Sequence, residues 1–170
     1  MARKPVTEHL LTAADRALVE AALAARECAH APWSQFKVGA AARFGNRVVK
    51  GCNVEFDVYG LTNCAERTAV FAAYACGAAR AALSAIAIVA DTPHPVSPCG
   101  ACRQVMFECG GPDLRVILSN TRGEVRVLRM ADLLPGGFRL DTHKQAVISG
   151  ARGAAEWRRD RPARTRKAQR

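Results

Sequence analysis

The chain has 170 residues, of which 49% are hydrophobic and 24% are charged. This size and composition are typical of one globular domain with an ordinary core, and they exclude a large multidomain assembly and a globally disordered chain. No run of about 18 apolar residues occurs, and the first residues lack the apolar stretch of a secretory signal. We therefore expect a cytoplasmic protein that makes no use of a membrane.

The formal charge of +10 is concentrated near the C-terminus. Residues 139–170 contain ten basic and three acidic side chains, and a basic terminal run of this kind is most often a solvated, flexible tail. We therefore predict a folded domain over residues 1–138 and a flexible basic tail over residues 139–170. A nucleic-acid-binding arm is the less favoured reading of the tail.

The N-terminal half predicts a helix followed by a β-hairpin. Thr12 and Asp15 have the spacing of a capping box ahead of an Ala-rich run, which predicts a helix over residues 12–28. Two β-like runs, residues 36–44 and 47–55, lie on either side of a Gly-Asn pair, and this pattern is typical of a hairpin.

The rest of the chain alternates helical and strand-like patterns. We predict a helix over residues 62–76, a strand over 83–91 and a second helix from 99 to about 110. Two strands over 114–120 and 124–130 and a short helix over 131–137 follow. The whole order predicts a five-stranded mixed sheet covered by helices on both faces, a three-layer α/β/α domain.

The seven cysteines indicate a metal site. Their number is odd and no export signal is present, which disfavours a disulfide scaffold. Cys64 opens one predicted helix, and Cys99 and Cys102 open the next, where the helix dipole stabilises thiolates. Residues at i and i+3 share one side of a helical turn, so the last two sulfurs can converge. Soft sulfur ligands favour zinc.

The number of ligands separates two kinds of zinc site. A catalytic site has three protein ligands and an open position, whereas a structural site has four. Cys28, Cys76 and Cys109 fit better as core thiols, so the spacing favours three ligands. Two alternatives stay open: His94 as a fourth ligand of a structural site, and a thioredoxin-like redox role for Cys99 and Cys102.

Glu66 adds acid–base chemistry to the predicted metal site. In mid-helix, positions i and i+2 face about 200° apart, but in the first turn Cys64 and Glu66 can serve one site. Zinc lowers the pKa of a water in its open position to roughly 7, and a carboxylate that is not a ligand can move the proton. The alternative is that Glu66 only interacts with the helix dipole.

Two segments carry a resemblance to a known family. TNCAERTA (62–69) and SPCGACRQ (97–104) resemble the zinc-dependent cytidine deaminases of the small, homotetrameric, all-cysteine type. The similarity extends from about residue 10 to residue 138 and includes SQFKVGA (34–40) and LLPGGF (133–138). His30, Trp33 and the stretch 56–58 depart from the usual pattern and leave the metal and acid–base groups intact.

The resemblance implies the fold, the cofactor and the roles of the site residues. It implies a cytidine deaminase-like α/β/α fold, Zn²⁺ held by the three cysteines, catalysis by Glu66, and hydrogen bonds from Arg67 to the ligand sulfurs. For Arg103 two roles are considered: hydrogen bonds to the ligand sulfurs, as for Arg67, or a surface ion pair. The implied substrate contacts are made by Phe36 to the base, by Asn53 and Glu55 to the ribose hydroxyls, and also by Ala65 and Phe138.

We expect hydrolytic deamination of cytidine or 2′-deoxycytidine in pyrimidine salvage, by a homotetramer in which Phe138 lines a neighbouring subunit's pocket. Two alternatives remain. One is a deaminase of an aminopyrimidine nucleoside antibiotic such as blasticidin S. The other is a nucleic-acid-directed deaminase or binder that uses the basic tail.

Overall fold

The computed structural model of the protein describes residues 11–139. The elements are, in chain order, α1 (Ala13–Arg26), β1 (Val38–Phe44), β2 (Arg47–Cys52), a 3₁₀ turn (Tyr59–Leu61), α2 (Ala65–Ala75), β3 (Leu83–Ala90), α3 (Gly100–Gly110), β4 (Arg115–Asn120), β5 (Val125–Arg129) and α4 (Met130–Leu133). Backbone proximity divides the chain into two units, Met1–Gly137 and Phe138–Arg170. The predicted flexibility of the tail concerns residues that, Arg139 apart, lie outside the described range.

The five strands form one mixed sheet in the order β2-β1-β3-β4-β5. Only β3 and β4 pair in parallel, and α3 is the crossover that connects them. The other neighbours are antiparallel, with the predicted hairpin at the β1–β2 edge. The predicted mixed sheet is therefore confirmed.

Separate apolar clusters cover the two faces of the sheet, which confirms the three-layer arrangement. On one face, Leu18 and Ala22 of α1 pack against the small and branched side chains of the central strands, namely Ala41, Ala85, Ala87, Val89 and Ile117. On the other face, α2 and α3 contribute residues such as Val70, Ala73 and Met106, which pack on Ala40, Ile86, Ile88 and Val116.

Gly51 of β2 lets α2 approach the sheet closely. A Cβ on Gly51 would lie 2.3 Å from the backbone nitrogen of Ala69 and 2.7 Å from the carbonyl oxygen of Ala65. Because these are backbone atoms at the start of α2, only glycine leaves room for the helix in this position. The sheet thereby fixes where α2 begins.

The predicted capping box is present at the start of α1. Thr12 accepts a hydrogen bond from the Asp15 amide at 3.1 Å, and Asp15 accepts one from the Thr12 amide at 3.0 Å. The buried carboxylate of Asp15 also accepts hydrogen bonds from Arg115 of β4 at 3.2 and 3.0 Å. Burial by itself would raise the pKa of Asp15, but these hydrogen bonds lower it below its usual value.

Replacing Arg115 with methionine should lower the free energy of unfolding by about 2 kcal/mol at pH 7, measured by urea unfolding. The Arg115 side chain is 37% exposed, so solvent reduces the larger loss expected for a fully buried pair. Because folding lowers the pKa of Asp15, the pair stabilises the protein at higher pH, and the difference should shrink as the pH falls below 3.8.

The control for this substitution is Arg129→Met. The guanidinium of Arg129 lies 3.7 Å from Asp113, and both side chains are exposed, so its loss should change stability by less than about 1 kcal/mol. The Asp15–Arg115 pair contributes nothing specific if the two substitutions lower the free energy of unfolding equally. The same conclusion follows if the difference between them does not change as the pH falls below 3.8.

The prediction of core thiols is wrong for Cys28 and Cys76, whereas Cys109 packs against the core. Cys28 and Cys76 are exposed, and Cys109 is half-buried at the edge of the core. The Ala-rich pattern suggested that the first two lie within helices, but α1 ends at Arg26 and Cys76 is the C-terminal cap of α2.

None of the helices within residues 11–139 has the length and the apolar character that spanning a membrane requires.

Candidate metal centre and active site

Three cysteine sulfurs converge where α2 and α3 begin. The sulfurs of Cys64, Cys99 and Cys102 all lie within 4.8 Å of one another, and those of Cys64 and Cys99 are 3.9 Å apart. A tetrahedral zinc ion with Zn–S bonds of about 2.3 Å would place its sulfurs about 3.8 Å apart. The spacing therefore fits zinc without large movement of the backbone.

The helix starts create a positive environment around these sulfurs. Cys64 is the N-cap residue of α2 and Cys99 that of α3, and neither side chain makes a capping hydrogen bond. The amides in the first turn of each helix are therefore not capped by these side chains, and they add to the positive end of the helix dipole. Cys102 lies one turn into α3 and is fully buried, so the cluster has one inaccessible and two more open ligands.

The surroundings of Cys64 favour the thiolate form of its side chain. A hydrogen bond from Cys102, with further ones from Arg67 and Cys99, lowers the pKa of Cys64 to about 5. The same interaction with Cys64, together with burial, raises the pKa of Cys102. Cysteine binds a metal as the thiolate, so a ligand thiol whose pKa is lowered in this way is favourable for metal binding.

Glu66 lies beside this cluster in the first turn of α2. It is 5% exposed, and its carboxyl group interacts with the thiol of Cys102 and with Cys64. Burial raises the pKa of Glu66, and the negative charge of Cys64 raises it further. A buried carboxyl group next to three sulfurs, itself not one of the ligand set, is placed to accept and return a proton.

Arg67 contacts the cluster from the next position of α2. Its Nη2 lies 3.7 Å from the Cys64 sulfur and donates to the Thr62 carbonyl at 3.3 Å. A guanidinium here offsets part of the negative charge of three thiolates. Its Nε is buried and has no hydrogen-bond partner within the described residues.

Arg103 has neither of the roles considered from the sequence. Its Nε donates to the Pro98 carbonyl at 2.8 Å, and its Nη1 donates to the Leu133 carbonyl at 2.9 Å. These bonds join the segment before Cys99 to α4. Arg103 therefore supports the backbone that carries a ligand.

His94 is remote from the ligand set. Its ring lies on the surface, with Nδ1 3.1 Å from a carboxylate oxygen of Glu124. In the described part of the chain, the group able to hold a metal consists of the three cysteines alone. The alternative of a structural site with His94 as fourth ligand is therefore wrong.

The residues predicted to bind substrate lie partly around one turn. The Phe36 side chain is 41% exposed, whereas Asn53 and Glu55 are buried at 7% and 9%. Asn53 accepts from the Val38 amide and donates to the Phe36 carbonyl, both at 2.8 Å. The structure thus brings Phe36 and Asn53 into direct contact.

Glu55 holds the preceding part of the same turn. One oxygen accepts from the amides of Trp33 and Ser34, each at 3.1 Å, and the other accepts from the Ser34 hydroxyl. The hydrogen bonds from Ser34 lower the pKa of Glu55 below its usual value. At neutral pH the carboxylate is therefore ionised and anchors this turn.

Two predicted substrate contacts lie elsewhere. Ala65 is the first residue of α2 and is fully buried in the core, and its contact with a substrate stays a prediction. Phe138 is 53% exposed and is the first residue of the second unit. Its predicted role in a neighbouring subunit's pocket also stays a prediction.

The chain matches known proteins over most of its described length. Residues 12–118 match the family model for the cytidine and deoxycytidylate deaminase zinc-binding region. The chain belongs to this family. A cytidine deaminase of Halalkalibacterium halodurans is 51% identical over 122 residues, which is 71% of this chain and 91% of the relative.

Solved structures of the family agree with this fold. A crystal structure of cytidine deaminase from Burkholderia pseudomallei has a TM-score of 0.70 and 54% identity, and it covers 75% of this chain and all of that one. The cytidine deaminase of Mycobacterium tuberculosis has a TM-score of 0.64 and 42% identity, with 74% and 97% covered. The resemblance seen in the two cysteine motifs is thereby confirmed.

Ser34 and Arg103 have structural roles that the sequence did not reveal. Ser34 lies within the quoted SQFKVGA segment, but its partner Glu55 is 21 residues further along the chain. One of the two partners of Arg103, Leu133, is 30 residues away. No local spacing rule reports such pairs.

Proposed function

We propose that the protein catalyses the hydrolytic deamination of cytidine and 2′-deoxycytidine to the corresponding uridine nucleoside and ammonia. The observation that carries this proposal is the buried Glu66 carboxyl group beside the three converging sulfurs. The proposed cellular role is pyrimidine salvage in the cytoplasm. The seven cysteines are all free, as a reducing compartment would keep them.

The three cysteines would hold the zinc ion. A bound zinc supplies a Lewis acid that lowers the pKa of a water molecule to about 7. Cys64 and Cys99 present their sulfurs at helix starts, Cys102 holds the cluster from inside the domain, and Arg67 donates to Cys64. These residues set the charge and geometry of the site.

Glu66 moves the protons of the reaction. Its carboxylate takes a proton from the attacking water and delivers it to N3 of the cytosine ring, which makes C4 a better electrophile. After the oxygen has bonded to C4, the same carboxylate takes the remaining proton of that oxygen and delivers it to the amine; the C4–N bond then breaks, the C4 carbonyl of uridine forms, and ammonia leaves. Burial raises the pKa of Glu66 and so brings it closer to the range that such transfers require.

The turn that precedes β1 in the chain and carries Phe36 would hold the nucleoside. The exposed ring of Phe36 offers an aromatic face to the base, and Asn53 and Glu55 offer an amide and a carboxylate to the ribose hydroxyls. Both polar side chains already bind the backbone of this turn. Their remaining hydrogen-bonding capacity is what a ribose would use.

We also propose that the protein acts as a homotetramer with shared active sites, in which Phe138 enters a neighbouring pocket. An apolar groove between α2 and α3 supports an interface, since Phe71 and Tyr74 are 49% and 58% exposed on its wall. Apolar surface of this kind is typical of contacts between subunits. Light scattering of the full chain tests the proposal, and a monomeric mass would overturn it.

The reaction is tested by incubating the purified, zinc-loaded protein with cytidine, deoxycytidine, cytosine and blasticidin S while ammonia release is measured. Release from the two cytosine nucleosides, and little from the free base or the antibiotic, is the expected result. Turnover of blasticidin S alone would instead support an antibiotic deaminase. Removal of residues 139–170 should leave nucleoside turnover intact, whereas a nucleic-acid-directed protein would lose its binding to RNA or DNA.

A further inference from the structure

The turn that carries Phe36 has a conformation that its own sequence does not favour. Gln35 has a φ of +55°, which lies in the left-handed region, where a non-glycine residue is strained. The Gln35 amide donates to the Ala31 carbonyl at 3.1 Å, and its side chain donates to the Pro32 carbonyl at 2.9 Å. A strained turn of this kind persists only where its surroundings hold it.

The Ser34 hydroxyl lies at the centre of what holds this turn. It donates to one oxygen of Glu55 and accepts a hydrogen bond from the Phe36 amide at 3.0 Å. A single oxygen atom therefore connects the carboxylate assigned to the ribose with the backbone of the residue assigned to the base. Any movement of one group is transmitted to the other.

Phe36 is fixed by its backbone on both sides. Its amide donates to Ser34, and its carbonyl accepts from the Asn53 side chain at 2.8 Å. The ring is the part that stays open, since the residue is 41% exposed. The direction of the ring thus depends on two polar side chains, and Ser34 is the one with no assigned contact to a substrate.

We infer that Ser34 is a positioning residue for nucleoside binding, whose hydroxyl orients the Phe36 ring and the Glu55 carboxylate together. This inference rests on the proposed function, because it assigns Phe36 and Glu55 to the base and the sugar. The hydroxyl matters for affinity because a ring and a carboxylate held in place beforehand lose less freedom when the nucleoside binds.

Removing the hydroxyl should leave the fold intact. The second oxygen of Glu55 still accepts from the amides of Trp33 and Ser34 in a Ser34→Ala variant. Asn53 still holds the other end of the turn. The loss is thus confined to the link between Glu55 and Phe36, and a defect in the variant reports on positioning.

Steady-state kinetics with cytidine should separate positioning from chemistry. Ser34→Ala should raise KM about tenfold, because it removes a hydrogen bond to a charged group. The change in kcat should stay within about twofold, since Glu66 and the cysteines are untouched. Ser34→Thr keeps the hydroxyl and should restore most of the affinity. The matched control is Ser84→Ala. This substitution removes a hydroxyl that donates to the Arg43 carbonyl at 3.1 Å.

Amide hydrogen exchange gives a readout that does not depend on turnover. The Phe36 amide should exchange faster in Ser34→Ala than in the unsubstituted protein, and Ser34→Thr should restore its protection. An unchanged KM in Ser34→Ala, in a protein that deaminates cytidine, would overturn the inference and leave the proposed function standing. Unchanged exchange at Phe36 would also overturn it. Failure of the unsubstituted, zinc-loaded protein to deaminate cytidine would instead remove the proposed function.

Discussion

Replacing Glu66 with glutamine should lower kcat for cytidine by about 10²- to 10⁴-fold, the usual contribution of a general acid–base group. Glutamine has nearly the same shape, so it fits the buried position that Glu66 occupies. It cannot accept a proton from water or return one to the leaving amine. The defect should therefore lie in the chemical step, with the zinc content and the affinity for the product uridine almost unchanged.

The control for this prediction is Glu124→Gln, which removes a carboxylate that is 51% exposed and faces His94. This substitution should leave kcat within about twofold of the unsubstituted protein. Rate and metal content must be measured on the same preparations, the latter by elemental analysis. If Glu66→Gln keeps near-normal turnover with a full complement of zinc, Glu66 does not transfer the protons.

Much of the fold was predictable because local signals mark its elements. The capping box of Thr12 and Asp15 marks the start of α1, and the strands follow runs of small and branched residues between turns. The helix predicted over residues 62–76 begins later, at Ala65, but the interpretation that Cys64 opens it agrees with the structure, where Cys64 is the N-cap residue of α2. Errors concern helix ends, because an Ala-rich pattern continues past the point where α1 stops.

The metal cluster was predictable for a different reason. Spacing places Cys99 and Cys102 on one side of a turn, and a cysteine at the start of the other helix supplies the third sulfur. The contacts within the turn around Phe36 could not be derived in this way. The long-range ones join residues about 15 to 22 positions apart, and those residues are brought together by the pairing of β1 with β2 and by the bridge between His30 and Val54.

Replacing Cys99 with serine should remove most of the bound zinc and abolish detectable deamination. A serine hydroxyl is a poor ligand for zinc compared with a thiolate, so two sulfurs would remain to hold the ion. Without the metal, the attacking water returns to the much higher pKa of bulk water and is a poor nucleophile at neutral pH. Zinc is measured by elemental analysis after dialysis, and turnover by ammonia release.

Because of where Cys99 lies, its substitution by serine can distinguish loss of the metal from loss of the fold. Cys99 is exposed and is the N-cap residue of α3, and serine is among the favoured residues at helix N-caps. The circular dichroism of Cys99→Ser should therefore match that of the zinc-depleted parent protein. Cys76→Ser, at the exposed C-cap of α2, should keep full zinc and full activity. A Cys99→Ser protein that retains stoichiometric zinc and normal turnover would show that these three sulfurs are not the metal ligands.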